Sequence, residues 1–161
     1  MGNIAGFIQA VPIDWFILGG ILVLVGLDTL RCGIGRACAL AVALPLALFL
    51  HSLIDSAAFL GGVGFFASST GSVGVFAALL IASYILVRRM GLDYIDGGMG
   101  QPVQALLAGA AVTAIFAVVW LQLPLFDSLW HFDTQVSAIF AEQFRLFWLL
   151  GAYAALAFAR G

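Results

Sequence analysis

Apolar residues in this chain come in long runs, and the short segments between them carry most of the charge. A helix that crosses the hydrocarbon of a bilayer needs about 20 mostly apolar residues, each rising 1.5 Å. The run lengths predict four such helices, at 13–30, 37–60, 73–89 and 102–122. The fourth is the cleanest, with no charged side chain from Val103 to Leu121. A fifth run, 146–159, is short for a crossing and reads equally as a short span, a re-entrant piece or a surface helix. The expected fold is therefore an all-α integral membrane protein. It is a polytopic bundle of four transmembrane helices plus a C-terminal amphipathic or apolar helix, in one membrane domain over 1–161. No basic residue precedes the first run, so the start does not read as a secretory signal.

Composition sharpens this picture. The chain is 64% hydrophobic and 9% charged, and its six basic residues are all arginines. A soluble domain carries roughly a quarter charged residues, so the expected solvent is the lipid bilayer. A net charge of -2 gives no basic face for nucleic acid.

Arginine placement predicts orientation. Arg31 and Arg36 lie between the first two runs, and Arg88 and Arg89 between the third and fourth. Basic loops face the cytoplasm, so loops 31–36 and 88–101 are expected there, with the N-terminus outside. Trp15, Trp120 and Trp130 then fall at the outer interface, where an indole is favoured. In the second basic loop, Gly91, Gly97, Gly98 and Gly100 allow tight turns, and Pro102 suits the first turn of the next helix. That loop could also dock a cytoplasmic partner, with Asp96 as the candidate contact.

Within the spans, small residues recur every four positions: Ala105, Gly109, Thr113 and Ala117; Ala39, Ala43 and Ala47; Gly74, Ala78 and Ala82. Such ladders let helices approach closely, inside a bundle or between copies. Pro45 is expected to kink the second span by freeing the carbonyl of Ala41. Ionisable groups in lipid are costly, so each needs a reason. Asp28 stands three residues before Arg31 and is expected to pair with it. His51 and Asp55 are four apart and share a helical face. They could relay protons or sense pH, or be polar neighbours bonded to each other at the outer interface. The stretch 61–74 reads as an outer loop that dips Phe65 and Phe66 into the interface, or as a re-entrant lip. From Asp133 to Arg145 the pattern suits an amphipathic helix capped by Asp133 or Thr134, with Val136, Ile139, Phe140, Phe144 and Phe147 on its apolar stripe.

Enzymatic and metal chemistry find little footing. Cys32 and Cys38 match no zinc spacing, and His51 and His131 make no cluster. Nucleophile and phosphate-loop motifs are lacking. No catalytic residue, metal site or cofactor is expected, and the chain does not read as an enzyme.

Two motifs carry a family likeness. Gly91-Leu92, Asp96 and Gly100 stand in the spacing G-L-x3-D-x3-G, ahead of an apolar helix rich in small residues. Ile13-Asp14 opens the first span, and Arg31 and Gly33 follow it. Over roughly residues 12–122 the chain resembles the colicin V production protein family of bacterial inner-membrane proteins, as a divergent member. It departs where the family tends to have arginines: Gly97 follows the loop aspartate, and Leu107-Ala108 replaces an arginine-glycine pair. The resemblance implies a multi-pass protein of the inner membrane linked to toxin production or export and envelope maintenance. Two functions are carried forward. One is an accessory or scaffold component that works with other membrane-protein subunits. The other is a small homo-oligomeric channel or transporter, with a polar path at His51 and Asp55.

Overall fold

The computed structural model describes residues 12–56, 69–90, 102–123, 126 and 130–160. All regular structure among them is helical: α1 (Ile13–Cys32), α2 (Ile34–Ser56), α3 (Ser69–Arg89), α4 (Pro102–Gln122), α5 (Thr134–Ile139) and α6 (Arg145–Arg160). A 3₁₀ turn, Glu142–Phe144, leads into α6. Helices α1 to α4 are long and apolar enough to cross a membrane, which makes this a multi-pass membrane protein. At 1.5 Å per residue each is about 30 Å long, the thickness of a hydrocarbon core.

Helix α4 is the centre of the bundle. It packs against α1, α2 and α6, while α3 packs on α2. The helix with no charge in its middle is thus the one that meets protein on most sides, and Ala108, Val112, Ile115 and Val118 on it are almost fully buried.

The three small-residue ladders have different fates. Ala105, Gly109, Thr113 and Ala117 are all buried within the bundle. Gly109 lies against the backbone of Leu22 and Gly26, so this ladder forms the α1–α4 seam. Ala39, Ala43 and Ala47 of α2 are completely buried. Gly74, Ala78 and Ala82 of α3 face outward.

Helix α1 ends at Gly33, whose φ of 81° lies in the left-handed region that a side chain disfavours. Its N–H donates to the Thr29 carbonyl at 2.9 Å. This one-residue reversal lets α2 begin at Ile34, three residues before the expected start at 37. Helix α3 begins at Ser69, inside the stretch read as an outer loop, so residues 69–74 are helical. The rest of that stretch, 61–68, lies outside the described residues, as do 91–101 with Asp96.

Helix α2 runs through Pro45. A proline has no N–H, so the carbonyl four residues back loses its helical partner. Tyr153 of α6 supplies the replacement: its hydroxyl donates to the Ala41 carbonyl at 3.0 Å. The bond draws α6 to the middle of α2. Tyr153→Phe is expected to cost about 1 kcal/mol, near the upper part of the range for interhelical bonds in membranes. With Pro45→Ala the new N–H occupies Ala41, and Tyr153→Phe should then cost nearly nothing. Reversible unfolding of the single and double variants measures this coupling.

The single amphipathic helix expected from Asp133 to Arg145 is broken in two. Asp133 caps α5 by accepting from the Thr134 N–H at 2.7 Å. Val136 and Phe140 then insert against Leu18, Ala117 and Val118. These anchors hold α5 at the end of the bundle, so the chain turns at Phe140–Ala141 before α6 can run along α4. The freed α5 carbonyls are satisfied locally, Phe140 by Arg145 Nε at 3.3 Å and Ile139 by Trp148 Nε1 at 2.9 Å.

Candidate functional site

Five polar or charged side chains are buried among the described residues: Asp14, Thr29, His51, Ser83 and Thr113. An unpaired polar group is costly inside lipid, so the use of each shows what the interior is built to do. Thr29 and Thr113 donate back to the carbonyls of Val25 and Gly109, four residues earlier, at 2.8 Å each. That back-bonding satisfies them within their own helices. Ser83 Oγ has no hydrogen-bond partner among the described residues. The other two tie the bundle together at one end.

Asp14, in the first turn of α1, is 2% exposed. Trp130 Nε1 donates to its Oδ1 at 2.8 Å, and the Asp133 backbone N–H donates to its Oδ2. One carboxylate therefore holds the segment between α4 and α5, 116 residues away in sequence. Its place at a helix N-terminus suits the negative charge. Trp120 of α4 extends the clamp by donating from Nε1 to the Trp130 carbonyl at 3.3 Å.

His51 lies at the same end, near the close of α2, and is 3% exposed. Its Nε2 is 3.0 Å from Ser72 Oγ on α3. A chain of ring contacts runs on from it: His51 edge-on to Phe76, Phe76 to Phe126, and Phe126 stacked on Trp120 at 4.4 Å. Trp120 also meets Phe132 at 5.9 Å. Polar ties and aromatic rings together close this end of the bundle. Beside it, Ser52, Gln122, Glu142 and Arg145 edge an open depression of about 680 Å³ between α2, α4 and α6.

The opposite end is basic. Arg31, Arg36, Arg88 and Arg89 gather there from the end of α1, the start of α2 and the end of α3. Asp28 pairs with Arg36 at 2.8 Å, not with Arg31 as its spacing led us to expect. The Gly33 reversal brings the first turn of α2 over Asp28, while Arg31 is exposed. The same Arg36 nitrogen lies 3.1 Å from Cys32 Sγ. Arg88 sits over the Tyr84 ring, 6.0 Å from its centre.

Of the residues singled out from sequence, Asp28 stands in the basic cluster, His51 is an α2–α3 tie, and Arg31 is exposed. The Asp55 side chain lies outside the described residues. Sequence reasoning gave Asp14 no role beyond a motif position, and gave Tyr84 and Tyr153 none. An acid opening an apolar run was a usable signal for Asp14. The two tyrosines carry no local pattern that could have marked them. No family model, curated protein or solved structure matches the chain.

Proposed function

We propose that the chain is a non-conducting accessory or scaffold component of a bacterial inner-membrane assembly. It would act in toxin production or export or in envelope maintenance, as its resemblance to colicin V production proteins implies. The observation that carries this reading is the use of its interior polar groups. Asp14 and His51 are buried and committed to neighbouring segments, and the two threonines to their own helices. The core around α4 is alanine, valine, isoleucine, leucine and phenylalanine. That is the build of a rigid framework rather than of a hydrated path.

In this reading the basic end faces the cytoplasm and the Asp14–His51 end faces outward, following the arginine rule. Helix α6 makes a fifth crossing, a view supported by its packing along α4 and its Tyr153 bond to the middle of α2. Arg160 then falls on the cytoplasmic side.

Native mass spectrometry after gentle extraction from the source membrane tests the role. The expected result is recovery with other membrane subunits in a fixed ratio. A defined homo-oligomer with no other subunit would contradict the accessory role.

A further inference from the structure

The open depression of about 680 Å³ between α2, α4 and α6 has two unlike parts. Pro45, Leu48 and Leu149 line it toward the middle of the helices, and Phe49 and Leu146 flank it, 59% and 63% exposed. Its other edge is polar. Ser52 and Gln122 stand there near the ends of α2 and α4, with Glu142 and Arg145 at the turn into α6. The depression is thus apolar along the helices and polar where they end.

The two charges on its edge are opposite, adjacent and unpaired. Glu142 and Arg145 are three residues apart across a 3₁₀ turn, a spacing that stacks side chains on one face. No ion pair joins them. The guanidinium reaches back instead, its Nε donating to the Phe140 carbonyl at 3.3 Å, and neither Nη has a partner among the described residues. The Glu142 carboxylate and the Gln122 amide have none there either. The described charges of the depression therefore sum to zero and are both open to a ligand. The side chain of Asp55, on the turn after Ser52, lies outside the described residues.

We propose that this depression holds one phosphatidylethanolamine, with its ammonium on Glu142, its phosphate on Arg145 and an acyl chain along Phe49, Leu146 and Leu149. Charge complementarity selects the occupant. The apolar part fits any lipid tail, but a carboxylate beside a guanidinium fits a headgroup that carries its own cation, joined to the phosphate through an ethylene link. An anionic headgroup without that cation would satisfy Arg145 and set a like charge against Glu142. A choline headgroup has the charge but no N–H, so it forgoes the charge-assisted hydrogen bonds that an ammonium makes to a carboxylate. The placement of this lipid in the bilayer rests on the fifth crossing by α6 proposed above. The headgroup preference does not, and it can be read in detergent.

The test is native mass spectrometry of the delipidated full chain, titrated with phosphatidylethanolamine, phosphatidylcholine and phosphatidylglycerol of the same acyl chains. The expected result is one phosphatidylethanolamine, retained about fivefold better than either other lipid, the upper range for an exposed charge pair. Glu142 is exposed and its side chain bonds nothing among the described residues, so replacing it should leave the fold intact. Glu142→Gln should remove most of the preference over phosphatidylcholine. Glu142→Arg should invert the order, so that phosphatidylglycerol is retained best. Met90→Arg makes the same charge change as Glu142→Gln at the opposite end of the bundle, on a residue 78% exposed, and should leave the preference over phosphatidylcholine unchanged. Equal retention of the three lipids by the parent protein would overturn the proposal. So would an order that survives Glu142→Arg, or equal effects of Glu142→Gln and Met90→Arg. Labelling of single cysteines on intact cells decides the crossing by α6 separately, so either claim can fail alone.

Discussion

Gly109→Ala is expected to destabilise the protein by about 1–3 kcal/mol, the usual cost of forcing atoms into a packed core. A Cβ at Gly109 would stand 2.7 Å from the Leu22 carbonyl oxygen, with Gly26 N and Cα at 3.4 and 3.5 Å. Those atoms belong to the backbone of α1, so no side chain can swing aside. The helices must separate along the whole seam, and α1 has its most extensive packing here. Gly109→Leu should prevent stable folding in detergent. Gly26 provides the internal comparison, because a Cβ there meets only the Ala105 oxygen at 3.5 Å, an ordinary contact. Gly26→Ala should be nearly neutral, its better helix propensity offsetting a slight crowding. Thermal unfolding of the purified variants measures both. Equal effects of the two alanines would mean that the α1–α4 seam is not the tight contact of this bundle.

Asp14→Ala is expected to cost about 3 kcal/mol, because it strands two donors that now share a buried carboxylate. The unfolding midpoint should fall by roughly 6–12 °C, at 2–4 °C per kcal/mol for a chain of this size. Asp14→Asn keeps an oxygen for one donor but turns an amide NH₂ toward the other, so it should recover about half of the loss. Freeing this clamp releases the segment between α4 and α5 while leaving the α1–α4 seam closed. Proteolysis near Trp130 should therefore rise in Asp14→Ala before global unfolding, whereas Gly109→Ala should show no such local opening. If Asp14→Ala unfolds like the parent protein and its Trp130 segment stays protected, the carboxylate is not the clamp.

The contrast between these residues shows what the sequence could reveal. Crossing helices were legible because lipid demands about 20 apolar residues in a row, and α4 spans the predicted 102–122. Where a break depends on one backbone angle, the reading slipped: Gly33 at φ 81° allows α2 to start at once, which also moves Arg36 into reach of Asp28. Polar helix starts were missed for a related reason. The serines and glycines of 69–74 look like a loop, but α3 there supplies Ser72 to His51. The freed Ala41 carbonyl was foreseeable from Pro45 alone. Its partner was not, since Tyr153 lies 112 residues away. Small-residue ladders look alike in sequence, and only the packing separates the buried one at Gly109 from the outward one at Ala78.

The central claim is that the buried Asp14 and His51 tie the bundle together instead of lining a conduction path. The most direct measurement is ion and proton flux into liposomes that hold the purified protein, under an imposed membrane potential. Our account predicts flux equal to that of protein-free vesicles, unchanged in His51→Gln and Asp55→Asn. Flux above that background that either substitution abolishes would contradict it, and would make the His51 end a conducting site.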